Sequence, residues 1–167
     1  MYVYHTYVEI MKVYLMHHAN ALTAEQDPDR HLSEQGVQES ERMGRFMKAQ
    51  GALPARILHS DKQWTKETGE RVADALGISG KTAIADYSVM PEDPVEPFIA
   101  EIESGNSDIM MTGHGDFLIR TASKLLTGDE NNSAIDFRPG NGACFCLEGS
   151  RSNWVVAWAL RQEQLAG

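Results

Sequence analysis

Residues 12–21 read KVYLMHHANA, and residues 108–117 read DIMMTGHGDF. Each is a short apolar run that stops abruptly at a histidine followed by a small residue. Val13 to Met16 has the length and continuous hydrophobicity of a strand buried on both faces, and Asp108 to Thr112 reads as another clear strand. A third run, Arg56 to His59, follows Pro54 and ends in the same way, at His59 and Ser60.

Helical patterns separate these strands. Ser33 is a natural N-cap for a helix that ends near Gly51, with Val37, Met43, Phe46 and Met47 on its apolar side. From about Lys62 to Leu76 a second helix turns Thr68, Val72, Ala75 and Leu76 inward and stops at Gly77. Thr82 to Ala85 reads as a short strand, and a weaker helix after Pro94 carries Phe98, Ile99 and Ile102. Beyond Gly113-His114-Gly115, Leu118, Ala122, Leu125 and Leu126 line a helix that ends at Gly128. Ala143 to Leu147 and Trp154 to Leu160 form a β-hairpin around residues 150–153. Strands alternating with helices imply an α/β fold in three layers. Its central sheet is mostly parallel, with helices on both faces and an antiparallel hairpin at the C-terminal end.

The chain has 167 residues, the length of one domain, and shows neither an internal repeat nor a composition break. Residues 1–10 precede a second methionine, Met11, and read as an N-terminal extension. A formal net charge of -9 argues against nucleic acid or an anionic membrane as partner. Cys144 and Cys146 lie two apart in an apolar strand, so both face the core rather than forming a disulfide. With no membrane-length apolar stretch and no signal-peptide pattern, the cytoplasm is the expected location.

Three strand ends therefore present polar residues: His17 and His18, His59 and Ser60, and His114. In open α/β sheets, ligands bind outside the carboxyl ends of the strands, at a topological switch point. Histidines held there serve as nucleophile, base or charge stabiliser.

In order and spacing these segments resemble the histidine phosphatase superfamily, and the bacterial SixA-type phosphohistidine phosphatases in particular. The family's strand followed by Arg-His-Gly appears here as KVYLMHHANA, its Arg-Pro-Leu-Thr-like motif as DRHLSEQG, its Ser-Pro segment as HSDKQWTKETG, and its second histidine motif as MTGHGDF. The resemblance runs from Lys12 to the C-terminus. It implies a phosphoglycerate mutase-like fold, His18 as the phosphorylated nucleophile and His114 as its partner. The implied substrate is a phosphorylated protein histidine or a small phosphomonoester, and no cofactor is needed.

The departures fall on the phosphate pocket. His17 stands where the family has its first arginine and Trp64 where it has the second, while Ala19 replaces the glycine after the nucleophile. By the resemblance, His17, Asn20, Arg30, Trp64 and Gly115 surround the phosphate, with Lys62 and Lys66 as further cations. Glu92 and Asp93 are the acid candidates. A working phosphatase and a family member that binds phosphate without turnover both remain open. A zinc site built from His17, His18 and His114 is disfavoured, since adjacent residues seldom both reach one metal.

Overall fold

The computed structural model describes residues 9–136 and 140–165. The expected N-terminal extension lies outside these residues, except for Glu9 and Ile10, which are exposed and irregular. The chain forms β1 (Met11–His17), α1 (Glu34–Ala49), β2 (Arg56–His59), α2 (Gln63–Leu76), β3 (Thr82–Ile84) and α3 (Glu96–Ser104). It continues through β4 (Ile109–Gly113), α4 (Gly115–Thr127), β5 (Cys144–Ser150), β6 (Asn153–Leu160) and the short α5 (Gln162–Leu165).

The six strands make one sheet in the order β3-β2-β4-β1-β5-β6. β3, β2, β4 and β1 run parallel, and β5 and β6 close the other side as an antiparallel hairpin. The expected three-layer α/β architecture is what the chain adopts. On one face, α3 and α4 pack Phe98, Ile102, Phe117 and Leu118 onto Val13, Leu15, Ile109 and Met111. On the other, α1 and α2 pack Met43, Met47, Val72 and Leu76 onto Tyr14, Met16, Ile57 and Met110. Successive residues of a strand point to opposite faces, so a strand between two helical layers must be apolar throughout. The runs at residues 13–16 and 109–111 satisfy that demand.

Cys144 and Cys146 are free thiols buried in the α1/α2 layer, as their spacing requires. The expected inward position Ala75 is only partly covered, and Ala73 takes its place in the core. Both lie near the boundary of the apolar stripe, where periodicity resolves neighbours poorly. No helix among the described residues is long and apolar enough to cross a membrane.

Two local features fix helix ends against the sheet. Ser33 caps α1, its Oγ accepting the Gly36 N–H at 3.1 Å. Gly36 itself lies against the loop that leaves β1: a Cβ there would sit 2.0 Å from the Asn20 carbonyl oxygen. α2 ends at Gly77 with φ +78°, the left-handed conformation that stops a helix where a side chain would be strained.

Because the Asn20 carbonyl is backbone, it cannot swing aside for a new methyl group. Gly36→Ala should therefore destabilise the protein by about 1–3 kcal/mol. A lower urea midpoint at unchanged slope would show this, and an unchanged midpoint would mean that the loop shifts freely.

Candidate active site at the carboxyl edge of the sheet

The register of the parallel strands brings their ends to one level. His17 pairs with Gly113 across β1 and β4, and His59 pairs with Thr112 across β2 and β4. The next residues, His18, Ser60 and His114, consequently emerge at the same edge. The His18 N–H donates to the Gly113 carbonyl at 2.9 Å, and the Gly142 N–H reaches the His17 and His18 carbonyls at 3.2 and 3.1 Å. From α2, the Thr68 hydroxyl accepts the Ala19 N–H at 3.0 Å while donating to the Trp64 carbonyl at 2.7 Å. The backbone around His18 is thus held from three sides.

The side chain of His18 is oriented as well. Its Nδ1 lies 2.9 Å from the Ala19 carbonyl, an acceptor only, so Nδ1 carries the proton and the lone pair sits on Nε2. Burial, with the neighbouring His17, His114 and Arg30 adding to it, pushes the His18 pKa down to about 4. At neutral pH this imidazole is an uncharged base. Burial likewise lowers the pKa of His17, against the opposing pull of the Gly140 backbone, Asp116 and Glu39. It lowers that of His114 too, with His17 and Lys62 contributing.

Ring centroids place His18 4.5 Å from His17 and 5.9 Å from His114. His114 caps α4 and is buried, and its Nε2 lies 3.0 Å from the Ser60 Oγ. Ser60 in turn contacts the Thr65 hydroxyl at 2.7 Å and accepts the Lys62 N–H at 3.2 Å. This network occupies Nε2 of His114. Thr65 escaped sequence reading because a threonine at the first turn of a helix has no distinctive spacing.

Trp64 walls the pocket, its ring 6.1 Å from His18 and 6.3 Å from His114, both edge to face. Arg30 comes over it from the β1–α1 loop, its guanidinium carbon 4.3 Å from the ring centroid and its Nε donating to the Leu22 carbonyl at 3.0 Å. Gly115 opens α4 beside His17, where a Cβ would lie 3.8 Å from the His17 Nε2. The Asn20 side-chain oxygen accepts from Ser33 Oγ at 2.6 Å, so it is committed to the start of α1 rather than to the pocket.

Of the two lysines, Lys62 lies close enough to influence His114, although its ammonium is 3.4 Å from Asp61. Lys66 faces solvent beside Glu70 at 3.9 Å, one helical turn further on. Asp93 staples its own loop, accepting the Met90 N–H at 2.7 Å and the Ser88 hydroxyl. Exposed Glu92 lines a cleft of about 550 Å³ together with Asp116.

The three pocket histidines do not converge as metal ligands. Among the described residues, the one His/Cys/Asp/Glu group with ligand atoms within 4.8 Å of one another is Asp27, Asp29 and His31. It lies on the loop surface, and the loop's own hydrogen bonds account for the arrangement.

No family model and no curated protein matches this chain. Solved structures do. The protein histidine phosphatase SixA in complex with tungstate aligns with a TM-score of 0.79 at 22% identity, over 93% of this chain and 99% of that one. A mycobacterial glucosyl-3-phosphoglycerate phosphatase aligns at 0.65 and 13% identity, over 89% and 97%. Phosphoglycerate mutase from Bacillus anthracis aligns at 0.66 and 14% identity, over 95% and 96%. The fold is the one that histidine phosphatases share with phosphoglycerate mutase. At such identities the likeness is one of architecture, and the activity must be argued from the pocket.

Neutral, buried imidazoles have a consequence for stability. A histidine whose pKa is lower folded than unfolded lets the unfolded state bind more protons, so stability falls as pH drops below about 6.5. His18, lowered to about 4, should account for a loss on the order of 3 kcal/mol between those two values. His18→Asn should flatten the decline of urea midpoints over that window. An equal decline in both proteins would show that His18 titrates normally.

Proposed function

We propose that the protein is a phosphatase of the SixA type, acting on phosphohistidine or a small phosphomonoester through His18. The observation that carries this reading is the state of His18. Its proton is held on Nδ1 by the Ala19 carbonyl, its lone pair is on Nε2, and burial keeps it uncharged. An imidazole in that state is a nucleophile at neutral pH.

In the first step Nε2 of His18 attacks phosphorus as the bond to the leaving oxygen or nitrogen breaks, and the leaving group takes up a proton. In the second, water attacks the phosphohistidine, releasing inorganic phosphate and restoring the free imidazole. Phosphoryl transfer spreads negative charge over the equatorial oxygens, and positioned donors stabilise it. Arg30 from above Trp64 and the Lys62 ammonium are the donors available for that charge, joined by Nδ1 of His114 in the tautomer whose Nε2 accepts from Ser60. His17 adds an imidazole at the strand end, and Gly115 leaves room beside it. Asn20 braces the loop. A phosphoimidazole leaves without strong acid assistance, which suits a pocket whose carboxylate candidates, Glu92 and Asp93, lie in an outer loop. The expected setting is the cytoplasm.

By the family resemblance His17 and Trp64 take the places of two arginines, which favours a second reading. A pocket with three uncharged imidazoles and few cations would hold phosphate and turn it over slowly or not at all. Losing one preorganised donor costs about a hundredfold to a thousandfold in rate, so Arg30 has to carry much of the missing function.

Hydrolysis of a phosphohistidine-bearing protein and of an aryl phosphate, beside a His18→Ala control, decides between these readings. The expected result is turnover that disappears in the control and falls about a hundredfold in Arg30→Ala. Since His18 is a free base above about 4, the acid limb of the rate should lie near that pH and not near neutrality. Equal rates in the protein and the His18→Ala control would leave a binding module.

A further inference from the structure

The β1–α1 loop that carries Arg30 is tied down by a chain of charged groups outside the pocket. Arg30 has φ +55°, a backbone conformation that a residue with a side chain holds only where its surroundings impose it. Asp27 supplies the constraint. Its carboxylate accepts the N–H groups on either side of Arg30, from Asp29 and His31, both at 3.0 Å. The Arg30 N–H itself donates to the Asp27 carbonyl at 2.9 Å.

His31 extends this bracket to the neighbouring helix. Its Nδ1 lies 2.5 Å from the Asp27 carboxylate, and its Nε2 lies 3.6 Å from the Glu67 carboxylate on α2. The second oxygen of Glu67 accepts the Leu32 N–H at 2.7 Å. Glu67 stands one turn beyond Trp64 on α2, so the residue that receives the loop and the residue on which Arg30 rests belong to one face. The docking of the loop on α2 and the docking of Arg30 on Trp64 are a single interface.

We propose that Asp27, His31 and Glu67 are positioning residues that form a latch, closed by the charged form of His31, which aims Arg30 at the phosphate. The proposal takes from the phosphatase reading only that the pocket receives an oxyanion. Charged His31 donates from Nδ1 to Asp27 and faces Glu67 through Nε2 as an ion pair across 3.6 Å. Neutral His31 keeps a single N–H for Asp27 and turns a lone pair toward Glu67, which loosens the loop from α2. The charged groups acting on His31 are Asp27 and Asp29 from its own loop and Glu67 from α2, all acidic.

Hydrogen bonding to Asp27, followed by the nearby carboxylates, raises the His31 pKa above its ordinary value. The latch is therefore closed below that raised pKa and opens as pH climbs through it. The pocket histidines His17, His18 and His114 are all lowered, so their titration falls at more acid pH. The two effects occupy different windows.

The test is the affinity of the intact protein for inorganic sulfate, which stays a dianion throughout, measured across the neutral and mildly alkaline range. The His31 imidazole resonance is followed alongside by proton NMR. Wild type should lose about two- to fivefold in affinity as His31 deprotonates, the worth of one partly exposed ion pair. In His31→Gln the step should vanish. In Asp27→Asn, which keeps an acceptor but removes the charge, it should move to lower pH. Arg30→Ala should bind weakly at every pH and show no step. A purely structural role would instead lower affinity and melting temperature together at all pH values, leaving the step in place.

A step unchanged in His31→Gln or Arg30→Ala, or no step in wild type, overturns the latch. Failure to bind sulfate at any pH overturns it too, together with the assignment of Arg30 to the phosphate. Turnover judges the phosphatase reading separately. A protein that shows the step but no hydrolysis keeps the latch and loses the enzyme.

Discussion

The hydrogen bond from the His18 N–H to the Gly113 carbonyl continues the β1–β4 ladder one residue past the end of the strand. It lets His18 sit outside the sheet while its backbone is held as firmly as if it were inside. The same register delivers His114 and Ser60 to that level, and the Ser60–Thr65 hydroxyl pair then anchors His114 from α2. A slip of one residue between β1 and β4 would turn every apolar side chain of these strands to the wrong layer. Packing of both helical layers therefore enforces the geometry of the pocket. Placement of the pocket histidines and core packing are the same constraint here.

The pocket's electrostatics follow from its burial. On the proposed reading a negatively charged protein receives a negatively charged group, so the local field must oppose the global one. Permanently charged guanidinium groups do this without regard to pH. Buried imidazoles do not, since desolvation removes their charge. The site thus concentrates its fixed cationic character in Arg30, whose guanidinium rests on the Trp64 ring. Trp64 serves as a platform for a cation brought from another element, which gives the aromatic residue a physical role beside the pocket histidines.

Placing that cation on a loop has a cost in rigidity. A group borne on a strand end inherits the order of the sheet, whereas Arg30 depends on the turn built by Asp27 and on the contact of His31 with Glu67. The acidic residues of this loop, which look adverse beside the proposed anion site, are the ones that bracket Arg30.

Much of this was legible in the residues alone. The runs at 13–16, 56–59 and 108–112, with helical periods between them, point to a parallel sheet with helices on both faces, because strands covered on both sides are apolar at successive positions, as at 13–16, 57–58 and 109–111. The abrupt change from apolar to histidine at residues 17 and 114 marks the edge where a site belongs. Short-range capping signals at Ser33 and Gly77 likewise mark helix ends correctly, since those bonds close within a few residues. What only the tertiary structure decided are contacts between residues far apart in the chain. These are Ser60 with His114, Ala19 with Thr68, Arg30 with Trp64 and Leu32 with Glu67. The protonation of the pocket belongs with them, because desolvation depends on the whole surrounding fold and leaves no trace in local spacing. Local order is written in periodicity, but the partners of a side chain emerge only when distant segments are brought together.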